Sequence, residues 1–161
     1  MTDDTDALAA LDTRAAFLLS QLGAYTAQQF AERLAPLGIR PVQFGVLTRL
    51  RNADTGVELS QQQLSEALGI HRNVMVSLID SLEERGLVQR GAHPSDRRAY
   101  AIRLTDAAHA VLGEATAAAD ALEEQLTVGL SESEREVLVA LLRRITVEQG
   151  IAAGVHPGLA G

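Results

Sequence analysis

Apolar residues recur every three to four positions through most of this chain, so its first expectation is a set of amphipathic helices. Leu11, Ala15, Leu18, Leu22 and Tyr25 begin one such stripe, which continues to Leu34 and stops at Pro36 and Gly38. Pro41 opens a second helix with Val42, Val46, Leu47 and Leu50 on one side. The composition of Asn52-Ala53-Asp54-Thr55-Gly56 is that of a loop. Ser60 and Gln63 then have the spacing of a reciprocal capping box, starting a helix through Leu64, Ala67 and Leu68 that ends at Gly69. A further helix from about Arg72 to Arg85 carries Met75, Leu78, Ile79 and Leu82, with Gly86 as its stop.

The pattern then shortens. Leu87–Gly91 and Arg98–Leu104 read as two short strands, and His93-Pro94-Ser95-Asp96-Arg97 between them is turn chemistry. Thr105 caps a long Ala/Leu-rich helix to about Thr127, broken at Gly129. Ser131 and Glu134 form a second capping box ahead of Val137, Leu138, Leu141, Leu142 and Ile145. Residues 1–10 are polar, and the tail after Gly150 is glycine-rich and expected to be flexible.

The order helix, three-residue turn (Gly69-Ile70-His71), helix, β-hairpin is that of a winged helix-turn-helix. Packing of Leu64, Leu68, Ile70, Met75 and Leu78 would turn Arg72, Asn73, Val76 and Ser77, with Ser81, outward. Such a small, polar face suits a major groove, though alone it could equally be a solvated surface. The hairpin would carry Arg97 and Arg98 at its tip, where an arginine can reach a narrow minor groove. Asp96 beside them can hold an arginine in one rotamer and so lower the entropy lost on binding. His71 at the helix start can cap the helix or touch a phosphate. Asp80, Glu83 and Glu84 read as structural, or as repellent to wrong DNA registers.

Charge changes the picture only after it is divided. The net charge of −7 over 161 residues opposes DNA binding as a whole. Yet Ser60–Leu104 holds six arginines against five acids, while the remainder holds eight against sixteen. All fourteen basic residues are arginine. With no cysteine, the chain has no disulfide, no thiolate metal site and no thiol through which to sense oxidants. His71, His93, His109 and His156 lack metal-ligand spacing, and no cofactor is expected. No apolar run is long enough for a membrane span and the acidic N-terminus is unlike a signal peptide, so a soluble cytoplasmic protein is expected.

At Asp96-Arg97-Arg98, with Leu104-Thr105 following, the sequence resembles the MarR family of bacterial regulators. Leu64-Ser65-Glu66-Ala67-Leu68-Gly69-Ile70, Leu78 to Val88, and Pro41 to Leu47 carry the same resemblance, over roughly residues 10 to 148. It implies a mainly α fold with a small β-hairpin wing. The winged helix-turn-helix would span 36–104, flanked by dimerisation helices at 11–35 and 105–149, with flexible ends at 1–10 and 150–161. The implied function is a repressor, bound as a homodimer to a pseudo-palindromic operator in duplex DNA.

Under that resemblance Arg98 enters the minor groove with Arg97 near phosphate, Asn73, Val74, Val76 and Ser77 lie at or near bases, and Gln61 and Gln62 lie near the backbone. The family commonly has threonines and an arginine where this chain has Val74, Val76 and Ser77, so its reading surface is more apolar. A small aromatic or lipophilic effector is implied between the DNA-binding and dimerisation regions. The residues expected to wall that pocket are Arg14, Phe17, Tyr25, Gln29, Phe44 and Arg49, each of which also has a packing or salt-bridge reading. An enzyme has no support, since phosphate loop, nucleophile elbow and metal pattern are all missing. A helical protein-interaction module is the other competing class, and it has no need of arginines at a hairpin tip.

Overall fold

The computed structural model describes residues 11–53, 58–94 and 98–152, together with Gly154 and His156. Helix α1 spans Ala15–Leu34 and runs into a single 3₁₀ turn, Ala35–Leu37, closed by Gly38 in the left-handed region. Helix α2 is Pro41–Ala53, strand β1 Leu59–Ser60, helix α3 Gln61–Leu68 and helix α4 Arg72–Glu84. Strands β2 (Val88–Ala92) and β3 (Tyr100–Leu104) follow, then helices α5 (Asp106–Leu126) and α6 (Glu132–Glu148). The chain is thus mainly α with a small antiparallel sheet, a winged helix-turn-helix on a helical frame.

Local signals explain most boundaries. Both capping boxes form: Ser60 Oγ accepts from Gln63 N–H, Gln63 Oε1 from Ser60 N–H, and Ser131 and Glu134 exchange the same pair of bonds. Thr105 caps α5 by accepting from Ala108 N–H, and its hydroxyl donates to Gly86 O at 2.6 Å. That one residue therefore joins the end of the wing to the end of α4.

Two expectations need correction. The sheet has three strands in the order β1-β3-β2, because Leu59 and Ser60 pair with Ile102 and Ala101. Two residues are too few for periodicity to reveal. Ser81 turns inward, where its Oγ accepts from Gln43 Nε2 at 3.3 Å; Gln43 is itself buried, and its Oε1 accepts from Arg40 N–H.

The core lies under the helix-turn-helix. Leu64, Met75, Leu78, Ile79 and Leu82 close on Leu34, Val46, Leu47, Leu87, Val88 and Ile102, with Ala108, Leu112 and Ala115 of α5 behind them. Each large aliphatic side chain buried in this way contributes on the order of 1.5–3 kcal/mol.

The frame is different. Helix α1 packs on α5, where Gln125 donates to Tyr25 Oη at 3.0 Å and accepts from Arg33. Helix α6 buries no residue within the chain. Leu18, Leu22 and Tyr25 on α1, and Leu138, Leu141 and Ile145 on α6, stay exposed at helical spacing. Beyond α6, Gly154 and His156 return to line hollows beside α2.

Candidate nucleic-acid interface

The turn between α3 and α4 is built by its own residues. Gly69 takes the left-handed conformation (φ 64°) that lets its N–H cap the end of α3, and Ile70 N–H donates to Ser65 O. The Ser65 hydroxyl donates back to Ile70 O. Ile70 then plugs the angle between the helices, at 4% exposure. His71 is the N-cap of α4: its Nδ1 accepts from Asn73 N–H at 3.3 Å. With Nδ1 accepting, a neutral ring carries its proton on Nε2, which remains a donor.

The buried residues of α4 fix what it presents. Met75, Leu78, Ile79 and Leu82 face the core, so Arg72, Asn73, Val74, Val76 and Ser77 are all exposed. Asn73, Val76 and Ser77 share one face, at spacings of three and four. Ser77 Oγ donates to the Asn73 backbone carbonyl, and the exposed Asn73 side chain stands beside it. On α3, Gln62 is exposed and donates to Glu66 at 3.0 Å. Gln61 is half-buried, and its Nε2 has no hydrogen-bond partner among the described residues.

Arg98 is exposed in the wing turn, two residues before Tyr100 begins β3. The other two members of the wing motif, Asp96 and Arg97, lie outside the described residues. The base of the wing is fastened to α4 by Arg90, a residue that periodicity does not single out. Its guanidinium bonds Asp80 and Glu83, and its backbone N–H donates to Glu83 Oε1 at 3.1 Å. Burial lowers the Arg90 pKa, but the hydrogen bonds that Arg90 donates to Asp80 and Glu83, with their charges, outweigh it and hold the group above its ordinary value. Asp80 and Glu83, three apart on one helix face, were the available signal that a cation stands opposite them.

A cavity of about 760 Å³ opens between α1, α2 and α5. Thr26, Phe30, Val42, Phe44 and Leu122 form its mainly apolar wall, with Arg40, Glu123 and His156 also bordering it. Phe30 and Phe44 meet edge to face, with centroids 5.3 Å apart. A smaller hollow across Phe44 takes in Thr48, Arg49 and Asn52.

Of the six expected pocket residues, Phe44 borders the cavity and, with Arg49, the smaller hollow. Tyr25 and Gln29 do not border either, and the reason is helical phase. Gly23, Thr26, Ala27 and Phe30 are the α1 residues aimed at the cavity, so Tyr25 and Gln29 occupy the neighbouring stripe. Tyr25 is held by Gln125, and Gln29 by Arg33 and Glu32. Arg14 and Phe17 lie further toward the N-terminus; Arg14 is the exposed residue ahead of the first turn of α1, and Phe17 is half-buried.

Residues 37–99, from the end of the 3₁₀ turn to the wing, match the model of the MarR family. A transcriptional regulatory protein assigned to the hcr operon of Thauera aromatica is 31% identical over 119 residues, covering 73% of this chain and 70% of that protein. The chain belongs to the MarR family. Among solved structures, CouR from Rhodococcus jostii RHA1 bound to p-coumaroyl-CoA superposes with a TM-score of 0.70 at 29% identity, covering 84% of this chain and 93% of that one. A point mutant of MarR from E. coli complexed with operator DNA gives 0.69 at 26% identity, covering 80% and 90%. As a member of this family the protein is a winged helix-turn-helix transcriptional regulator. Among the described residues no helix is long and apolar enough to cross a membrane, and no cluster of His, Asp or Glu could hold a metal ion.

Proposed function

We propose that the protein is a homodimeric, effector-responsive repressor that binds a pseudo-palindromic operator through α4 and the wing. The observation that carries the DNA reading is the pairing of an uncluttered Asn73–Val76–Ser77 face with exposed Arg98 on the adjacent hairpin. A helix that wide fits a major groove, where asparagine can read adenine and valine methyls can meet thymine methyls. Arg98, with Arg97 beside it in sequence, supplies the minor-groove and phosphate contacts, steadied by Asp96. Gln61, Gln62, His71 and Arg72 add contacts to the backbone at the start of the two helices. Val74 flanks the reading face.

Two copies are needed because the stripes on α1 and α6 have no cover among the described residues. A two-fold dimer buries both and presents two α4 helices to successive major grooves, hence the pseudo-palindrome. The effector is a small aromatic or lipophilic compound held in the cavity beside Phe30 and Phe44, with Arg40 at hand for an anionic group. The cavity volume lies within the usual range of about 300–1,000 Å³ for ligand sites. CouR, a structural neighbour, holds p-coumaroyl-CoA.

The test is selection from random duplexes, followed by fluorescence anisotropy with a salt titration and then addition of aromatic acids and their thioesters. An enriched palindrome bound by two chains, with a steep salt slope and release by at least one such compound, is the expected result. Weak, sequence-blind binding would instead favour a protein-interaction module built on the same fold. Specific binding with no release by any such compound would leave a regulator that is not gated by that class.

A further inference from the structure

Asp80 and Glu83 stand on the recognition helix just beyond Val76 and Ser77, and both carboxylates face β2. Left alone, two acids so close to a phosphate-facing surface would oppose the approach of DNA. Arg90 of β2 meets both. Its Nη2 lies 2.5 Å from Asp80 Oδ1, its Nη1 bonds Glu83 Oε2, and its backbone N–H holds Glu83 Oε1. The Arg90 side chain is 21% exposed, while Asp80 and Glu83 remain 51% and 38% exposed, so the cation is the drier member of the cluster and solvent still screens the acids. In the wing ladder Arg90 pairs with Ile102, and two positions on Ala92 pairs with Tyr100, the last rung before the turn that carries Arg98.

We infer that Arg90 is a positioning residue for DNA reading, clamping the wing to the recognition helix while neutralising Asp80 and Glu83. The inference rests on the DNA-binding reading of α4 and Arg98 given above. The central strand β3 is already held by β1 and by Glu58 on Arg103, whereas β2 is the outer strand; whatever freedom the hairpin keeps to change its angle to α4 must be lost when DNA binds. Three bonds from one residue to two carboxylates on a rigid helix remove that freedom beforehand. Arg90 itself is turned into the protein and contributes no phosphate contact. Arg98 then meets the minor groove at the angle that places Asn73 and Ser77 in the adjoining major groove.

The test uses the full-length protein on its selected duplex, with each variant first shown to melt cooperatively. Asp80→Asn/Glu83→Gln removes two negative charges from the DNA side of the lobe, so simple electrostatics calls for tighter binding. The clamp requires weaker binding, by about fivefold or more; tighter or equal binding overturns it. Arg90→Met, added to Asp80→Asn/Glu83→Gln so that no acid is unmasked, is expected to bring little further loss and to leave the salt slope unchanged, whereas a lost phosphate contact would lower the slope by about 0.9. A drop of that size overturns the positioning role.

The third arm is a double-mutant cycle. Arg98→Ala should cost at least about tenfold in the wild type but less than about threefold beside Arg90→Met, because an unclamped wing no longer delivers Arg98. Equal cost in both backgrounds overturns the clamp while leaving Arg98 as a DNA contact. No cost in the wild type overturns the wing reading itself, and the clamp with it. Should Arg90→Met fail to fold, the sign of the Asp80→Asn/Glu83→Gln effect decides.

Discussion

Arg98 and Arg90 stand on the same hairpin and have the same side chain, yet their surroundings differ. Arg98 is exposed in the turn, whereas Arg90 is drawn against two carboxylates at the hairpin base. A charge-assisted hydrogen bond is worth about 1.5–3 kcal/mol, so Arg98→Ala should raise the operator Kd at least about tenfold, as read by anisotropy. Glu134 offers a test that needs no DNA. Hydrogen bonds from the Ser131 N–H and hydroxyl, both at 2.8 Å, hold its carboxyl below the ordinary 4.5. A depressed folded-state pKa means that the capping contribution is present above the unfolded pKa and is lost as pH falls through the folded one. A carboxyl titration by NMR should place Glu134 below 4.5 in the wild type, returning toward it in Ser131→Ala.

Elements in this fold are joined by a few long side chains at their ends. Arg85, just past α4, donates to Leu37 O at 3.1 Å and to Gly38 O, tying the recognition helix to the turn between α1 and α2. Gly38 holds φ 67°, and a Cβ there would meet Arg85 Nη2 at 2.6 Å. Gly38→Ala therefore combines backbone strain of about 1–3 kcal/mol with displacement of the Arg85 tie. A melt should show Tm lower by roughly 2–4 °C for each kcal/mol lost. Gly86→Ala has a similar φ of 66° but open space around the new Cβ, and should cost less. Equal losses would mean that the Arg85 contact adds nothing.

At the scale of the whole molecule, a closed DNA-binding lobe sits on an unfinished frame. The lobe buries its large aliphatic side chains almost completely, whereas α6 buries none and α1 leaves Leu22 54% exposed. The proposed two-fold partner would resolve that imbalance. Light scattering should give about twice 17.1 kDa down to micromolar concentration, with no folded monomer. Leu22→Glu with Leu141→Glu places charge on both stripes and should dissociate the dimer, weakening operator binding because two half-sites no longer act together. A stable dimer in that double variant would locate the interface elsewhere.

What the sequence by itself determined is what local physics controls. Ser60, Gln63, Ser131 and Glu134 satisfy orphan N–H groups within four residues of chain, so both helix starts were legible. Gly38, Gly69 and Gly86 stop helices through their own backbone freedom, and Met75, Leu78, Ile79 and Leu82 mark the buried face of α4 by spacing alone. The exposed face of α4 followed from that phase.

Tertiary structure decided what depends on neighbours distant in sequence. It paired Leu59 with Ile102 and drew Ser81 inward to Gln43, 38 residues away. It aimed Thr26 and Phe30, rather than Tyr25 and Gln29, at the cavity. It also set Arg90 against Asp80 and Glu83. Periodicity gives the phase of a helix, but which stripe faces a cavity, and which cation meets a pair of acids, is settled only when a second element packs against it.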